Sequence, residues 1–328
     1  MATNKGIKLV DLDEDGVDRA FRADVLAGLA QAQKAIPARW LYDDAGSQLF
    51  EDITQVPEYY PTRCETEILS SRGAEFADAI GPGRAVVEFG SGSSVKTPLL
   101  LEAIEPGAYV PLDIAGDFLR KSAAELSAKF PGLPVYPVEA DFNRRVELPA
   151  EVAEMPKLGF FPGSTIGNMV PRTAVDLLRS MRETLGEGAL LLIGMDLIKD
   201  RSVLEAAYDD AGGVTAAFNL NLLSRINREL EGTIPVEQFR HEARWNDTFA
   251  RVEMHAVAQQ DIAFTVAGKD FAMRKGETIH TENSHKFDAR SANTLLLAGH
   301  WTPRARWTDQ EDRFSVILAE ATIAKAAP

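Results

Sequence analysis

An α/β fold is predicted: a doubly wound, mostly parallel sheet with an inserted α+β subdomain. Three features carry that expectation. Between about residues 61 and 195, short apolar runs alternate with helix-like segments, the pattern of right-handed βαβ units. The first apolar run, Ala85-Val86-Val87, leads into Glu88-Phe89-Gly90-Ser91-Gly92 and a helix start. Such a turn lets a ligand lie against bare backbone at a helix N-terminus. After Asp196 the texture changes to helical periodicity and then to strand-like alternation with hairpin turn signals.

In chain order, residues 84–89 read as the first strand, followed by a helix through Ile104. Residues 108–113 are the second strand, with a helix over 116–129. Residues 135–139 are the third strand and 158–162 the fourth, with a helix over 172–185. Residues 189–194 are the fifth, and Ala189-Leu190-Leu191-Leu192-Ile193 fits a strand buried on both faces. Residues 202–230 read as helical apart from Gly212-Gly213. Residues 237–287 read as an antiparallel meander with turns at Trp245-Asn246-Asp247, Gly268-Lys269-Asp270 and Arg274-Lys275-Gly276. A helix over 291–298 and strands over 304–307 and 314–321 follow. The implied division is a doubly wound domain of residues 62–196 plus 287–328 and a subdomain of 1–61 plus 197–286.

The 328 residues are 45% hydrophobic and 26% charged, ordinary for a soluble globular chain. A net charge of -14 repels phosphate backbones and anionic lipid, so neither nucleic acid nor a membrane is an expected partner. The segment Met1 to Asp15 has no apolar run of the signal-peptide kind, and the longest apolar runs are too short to span a bilayer. Cys64 is the single cysteine, which excludes an intrachain disulfide and makes a reducing cytoplasm the expected compartment. A monomer is the expected state.

Ligands of open parallel sheets sit at the carboxyl ends of strands. A dinucleotide fingerprint would place its third glycine at Val95. The Glu88-x-Gly90-x-Gly92 form suits S-adenosyl-L-methionine better, because that cofactor carries no pyrophosphate. Asp113, about twenty residues beyond the glycines, is spaced to accept both ribose hydroxyls. Asp141 and Phe142 can take an adenine amino group and ring. Lys96, in the first helical turn, can reach the cofactor carboxylate as a point charge. Each carboxylate equally fits a helix N-cap, and Lys96 a solvated surface position.

Several motifs resemble the histidine Nα-methyltransferase family of ergothioneine biosynthesis. They are Trp40-Leu41-Tyr42-Asp43, Pro57-Glu58-Tyr59-Tyr60-Pro61-Thr62-Arg63, Gly163-Ser164-Thr165-Ile166-Gly167-Asn168, Ala207-Tyr208-Asp209-Asp210 with Gly213-Val214-Thr215-Ala216-Ala217-Phe218-Asn219, Arg251-Val252-Glu253-Met254, and Thr281-Glu282-Asn283-Ser284-His285-Lys286-Phe287. The likeness runs from about residue 20 to the C-terminus. It implies a class I methyltransferase fold, Rossmann-like, with a substrate-binding insert. It implies S-adenosyl-L-methionine contacts at Gly90, Lys96, Asp113, Asp141, Phe142 and Tyr42, and L-histidine contacts at Tyr59, Asn168, Tyr208, Glu282, Asn283 and Ser284. The family pattern has an apolar residue at the position of Asn283 and Cys at that of His285.

The residues fit that assignment chemically. In a strand Glu282 and Ser284 share a face. A carboxylate can accept from one imidazole N–H while a hydroxyl serves the other nitrogen; the same pair also fits the solvated face of an edge strand. Tyr59 and Tyr208 carry donors for a substrate carboxylate, or pack with satisfied hydroxyls. Asn168 can orient the reacting amine or cap the helix that follows. Met254 can line the pocket or the core. The implied reaction is in-line methyl transfer to the α-amino group, three times, giving hercynine. Asn168 and Tyr59 are positioning groups, and no residue is marked as a dedicated acid or base.

Five other readings are weighed. A metal site at His280, Glu282 and His285 is disfavoured, because His280 and Glu282 share a strand face while His285 points away; no metal is expected. Serine hydrolysis lacks its Gly-x-Ser-x-Gly elbow. A methyltransferase of tryptophan or tyrosine, and a nicotinamide-dependent oxidoreductase, remain alternatives. A non-catalytic S-adenosylmethionine-binding module would not need the polar substrate set.

Overall fold

The computed structural model describes residues 12–13, 16–92 and 96–321. Val95, and most of the first fifteen residues, lie outside the described residues. The chain divides into two compact units, Met1–Tyr60 with Lys199–His285, and Pro61–Ile198 with Lys286–Pro328. The strands, in chain order, are β1 (Lys34–Ala35), β2 (Ala85–Phe89), β3 (Ala108–Asp113), β4 (Val138–Glu139), β5 (Lys157–Phe161), β6 (Leu190–Asp196), β7 (Phe239–Asn246), β8 (Arg251–Ala258), β9 (Ile262–Val266), β10 (Lys269–Met273), β11 (Thr278–His285), β12 (Trp301–Thr308) and β13 (Phe314–Ala321).

The unit built around residues 61–198 holds a seven-stranded sheet in the order β12-β13-β6-β5-β2-β3-β4. The strands from β6 to β4 pair in parallel, while β13 is antiparallel to both β6 and β12. Every residue of β2 and β6 is buried, which is why these strands read as mostly apolar runs, interrupted only by Glu88 and Asp196 among charged residues. Helices Pro171–Leu185 and Ala289–Ala298 contribute Leu177, Leu178, Met181 and Leu296 to the core that holds Leu191, Ile193 and Ile317. Strand order reverses at β2, which has β3 on one side and β5 on the other. Its carboxyl end is therefore the topological switch point, and Gly90 stands there.

One expectation for this sheet is corrected. The third strand, read as 135–139, pairs as a strand only over Val138–Glu139, with an isolated bridge from Val135 to Tyr109. Pro134 and Pro137 supply no N–H to the ladder.

In the other unit β11, β8 and β7 pair antiparallel and β1 adds to β11 in parallel. The helical stretch after Asp196 is two helices, Arg201–Tyr208 and Val214–Glu229. Asp210 accepts from Val214 N at 3.0 Å and Thr215 N at 2.7 Å, starting the second helix just after Tyr208. Both helices pack on β7 and β8. The expected single meander is corrected as well: β9 and β10 form a separate hairpin, and β11 returns past it to pair with β8. Alternation marks strands but does not say which strand pairs with which.

Candidate active site

The switch point is built from a bare turn and a ring. Gly90 has φ of 77°, and a Cβ there would meet the Phe142 ring at 3.5 Å. Glycine keeps that space clear. Phe142 is held edge-on to Phe89 and Phe161, with centroids at 6.0 and 6.4 Å. Asp113 Oδ1 accepts from Ala115 N at 2.9 Å and its Oδ2 from Gly92 N at 3.3 Å. Each carboxylate oxygen has two lone pairs, so these two bonds leave Asp113 able to accept from a ligand; the N-cap of Gly116–Lys129 is Ala115, so the capping alternative for Asp113 does not hold. Asp141 Oδ1 accepts from Asn143 N at 3.0 Å and Nδ2 at 2.7 Å. Gly90, Asp113, Asp141 and Phe142 thus lie together at the carboxyl ends of adjacent strands. A clear glycine turn, a ring and two acids with acceptor capacity are a donor set that fits a nucleoside.

Glu88, the acid of the turn motif, faces inward. It is fully buried and accepts from Thr97 Oγ1 at 2.8 Å and from the Tyr109 hydroxyl at 2.5 Å. It ties β2 to β3 and to the helix Thr97–Ala103. Burial, and then the Glu88 charge, push the Tyr109 phenol well above its ordinary pKa. Lys96 precedes that helix as its N-cap residue rather than lying in its first turn, and its Nζ meets Glu65 Oε2 at 2.6 Å. Nothing near Lys96 in sequence announces Glu65. Asn168 ends the short helical turn Thr165–Asn168, which follows left-handed Ser164 (φ 55°). The N-cap of Pro171–Leu185 is Val170, so the capping alternative for Asn168 does not hold.

In the other unit the strand period delivers its pair. Glu282 lies opposite Met254, and Ser284 opposite Val252, on one face of β11 and β8. Both Glu282 and Ser284 are buried, so the solvated-edge reading does not hold. The Tyr208 hydroxyl lies 2.7 Å from Ser284 Oγ, and the Tyr42 hydroxyl donates to Glu282 Oε1 at 3.4 Å. Tyr42, expected on the cofactor side, belongs to the unit that carries Glu282. Tyr42 is 37% exposed as a residue, but its hydroxyl end lies against Glu282; desolvation there, then the Glu282 charge, push its phenol above the ordinary range. Tyr42 packs on Phe50 and Phe218 (5.6 and 5.3 Å), and Tyr59 packs on Phe50 and Tyr208 (6.3 and 6.0 Å). An aromatic box therefore adjoins one carboxylate and one hydroxyl.

Behind it runs a buried chain that the sequence did not announce. Thr281 Oγ1 donates to Asn219 Oδ1 at 2.5 Å, Asn219 Nδ2 donates to His241 Nδ1 at 2.8 Å, and His241 Nε2 donates to the Tyr208 carbonyl at 2.7 Å. That tautomer is the one the bonds require. Burial lowers the His241 pKa, so the neutral ring persists at pH 7.

Asn283 and His280 occupy the opposite face. The register shifts between His280 and Glu282, so His280 sits opposite His255 and Asn283 opposite Glu253. The expectation that His280 and Glu282 share a face is corrected: a bulge adds one residue and reverses the alternation. The Asn283 side chain likewise points away from Glu282 and Ser284. Among the described residues Glu253, His255 and His280 bring ligand-capable atoms within 4.8 Å of one another. Their rings stack at 4.8 Å and 18°, and Glu253 already pairs with Arg251 at 2.6 Å. Stacked rings aim their lone pairs side by side rather than at one point.

This cluster makes acid sensitivity predictable. Burial, then the adjacent His280, push His255 down to about 4 from an ordinary 6.5. Burial works to raise Glu253, but bonds from Arg251, His255 and Asn246 outweigh it and hold it at about 2. The unfolded chain therefore takes up a proton near pH 6.5 that folded His255 refuses. Its contribution to stability is whole above that pH and is lost as pH falls toward 4, at about 1.4 kcal/mol per unit. Urea midpoints should fall over this window, and His255→Gln should flatten the slope. An unchanged slope would assign the loss to other groups.

Similarity to known proteins agrees with this geometry. Residues 21–321 match a family model described as histidine-specific methyltransferase, SAM-dependent. The histidine N-alpha-methyltransferase of Mycolicibacterium smegmatis is 40% identical over 319 residues, covering 94% of this chain and 97% of its own length. That of Mycobacterium tuberculosis is 39% identical over 318 residues, with the same coverage. Ergothioneine biosynthesis protein 1 of Neurospora crassa is 32% identical over 300 residues, covering 88% of this chain and 33% of that longer protein. No helix among the described residues is long and apolar enough to cross a membrane. The chain belongs to the histidine-specific, S-adenosylmethionine-dependent methyltransferase family.

Proposed function

We propose that this enzyme methylates the α-amino group of L-histidine three times at the expense of S-adenosylmethionine, yielding hercynine. The observation that carries the substrate reading is the buried pair Glu282 and Ser284 on one strand face, each with a tyrosine hydroxyl at its side. Glu282 accepts the imidazole N–H, and the Ser284 hydroxyl donates to the other ring nitrogen. Tyr208 then donates to Ser284 Oγ, and Tyr42 to Glu282, so each group meets a complementary one. An indole offers one N–H and a phenol one hydroxyl. Neither satisfies both groups, which favours histidine over tryptophan or tyrosine. Met254, directly across from Glu282, gives the ring an apolar wall. The Tyr59 hydroxyl, at the edge of the aromatic box, donates to the substrate carboxylate. Asn283 contributes through its backbone, since its side chain is on the other face.

At the cofactor end Asp113 accepts from the ribose hydroxyls, Asp141 from the adenine amino group, Phe142 covers the base and Lys96 meets the carboxylate. When bound, S-adenosylmethionine supplies a methyl group on a sulfonium, a leaving group good enough that positioning carries most of the catalysis. Asn168 offers its amide oxygen to the substrate amine. An α-amino group has a reference pKa of about 8, so it sheds one proton to expose the lone pair. Each transfer would form one C–N bond as the methyl–sulfur bond breaks, the sulfur leaving with the electron pair as a neutral thioether; the ammonium formed loses a proton before the next transfer, and the third product keeps its charge and stops.

Incubating the protein with L-histidine and S-adenosylmethionine should give amino acid heavier by one, then two, then three methyl groups in the mass spectrum. Unaltered histidine, from protein shown to bind the cofactor by calorimetry, would overturn the reading.

A further inference from the structure

We propose that Glu65 is a positioning residue for cofactor binding: its buried carboxylate fixes the Lys96 ammonium and the start of the 163–168 loop in one geometry. The inference rests on the reading above that Lys96 receives the cofactor carboxylate.

Glu65 lies on helix Tyr60–Ser71 and is 1% exposed. Its Oε2 accepts from Lys96 Nζ at 2.6 Å and from Gly163 N at 2.8 Å. One oxygen thus joins the residue after the glycine turn to the loop that carries Asn168. The other oxygen, Oε1, is buried without a hydrogen-bond partner. It rests on Gly194 of β6, where a Cβ would come within 2.1 Å of it and 3.0 Å of the Phe314 ring. The slot exists because position 194 is a glycine.

Stability does not account for such an arrangement. A buried carboxylate with an unsatisfied oxygen is a costly way to fill space, and an apolar side chain would do so better. What the carboxylate provides is direction. Lysine is a point charge on a flexible four-carbon stem, and holding it before a ligand arrives removes the entropy cost of ordering it on binding. An ammonium carries three N–H donors, so the bond to Glu65 does not by itself exhaust its capacity to meet a ligand carboxylate. Backbone N–H of Gly163, held by the same oxygen, sets the loop in register with the lysine.

The test is a double-mutant cycle on S-adenosylmethionine affinity, read by calorimetry, with Glu65→Gln, Lys96→Met and both together. Lys96→Met should weaken binding at least tenfold, and Glu65→Gln by a similar factor. The double variant should bind within about twofold of Lys96→Met alone, because a positioning group has nothing left to position. Gly194→Ala, which pushes a methyl group against Oε1, should behave like Glu65→Gln and stands in for it in the cycle if that variant unfolds. Glu65→Gln and Gly194→Ala should also raise KM for L-histidine, because the same oxygen holds the loop that carries Asn168. Wild-type affinity in both Glu65→Gln and Gly194→Ala, or losses that multiply in the double variant, would overturn the inference. If Lys96→Met itself binds like wild type, the cofactor role of Lys96 falls instead, and the two failures are told apart.

Discussion

Lys286→Met is expected to lose about 3–5 kcal/mol of folding stability, the cost of leaving one member of a buried ion pair without its partner. Lys286 Nζ lies 2.6 Å from Asp196 Oδ2, with side-chain exposures of 0% and 1%. Asp196 ends β6 and Lys286 follows β11, so the pair joins the two points where the chain leaves and re-enters the sheet unit. The same place is fixed by backbone bonds: Phe287 N donates to the Asp196 carbonyl at 2.8 Å, and Ile198 N to the Phe287 carbonyl at 2.9 Å. Removing the ammonium takes the nearest opposite charge away from a carboxylate that is itself 1% exposed. Domains of this size are stable by about 5–15 kcal/mol, so the variant should fold with a much lower urea midpoint. The apolar pair Lys286→Met with Asp196→Val should recover much of the loss, because two absent charges cost less than one unpaired charge. A Lys286→Met midpoint indistinguishable from wild type would show that water or another group takes over the solvation of Asp196.

Most of the sheet was legible because parallel strands covered on both faces leave apolar runs, as over residues 190–195. The helix break at Gly212-Gly213 was legible because glycine marks it. The pairing of β11 with β8 past the β9–β10 hairpin was not, since partner choice is a long-range matter decided by packing. The site divides in the same way. Counting by twos from Glu282 to Ser284 worked because the ladder is regular there. Counting by twos from His280 to Glu282 failed because a bulge intervenes. The Thr281 hydroxyl, bonded to Asn219 and to the Met254 carbonyl, occupies that bulge. One sequence period thus gave both a right and a wrong face within five residues. Glu65, His241 and Asn219 carried no local signal, because each meets its partner across 22 or more residues. Asp113 was undecided between helix cap and ligand acceptor; the N-cap of Gly116–Lys129 is Ala115, so Asp113 closes a turn ahead of the helix and keeps acceptor capacity.

Glu282→Ala is expected to raise KM for L-histidine by about 10- to 150-fold while leaving S-adenosylmethionine affinity within about twofold. A hydrogen bond to a charged group contributes about 1.5–3 kcal/mol, and each 1.4 kcal/mol is a factor of ten. The carboxylate is buried, so water competes poorly for the imidazole N–H. The alanine also strips Tyr42 of its acceptor and leaves Ser284 to hold one ring nitrogen alone. Glu282→Gln separates charge from shape. Its amide oxygen still accepts a hydrogen bond, so its KM should fall between those of wild type and Glu282→Ala. Ser284→Ala should cost less than Glu282→Ala, since it removes a neutral bond, and Tyr208 loses a partner with it. The two losses should not simply add, because both act on one ring. Binding energy used to orient the ring also orients the amine, so kcat should fall along with the rise in KM. A Glu282→Ala enzyme with wild-type KM for histidine would remove the carboxylate from ring recognition. It would leave the family membership untouched and move the search for the imidazole partner to the phenols of Tyr42, Tyr59 and Tyr208.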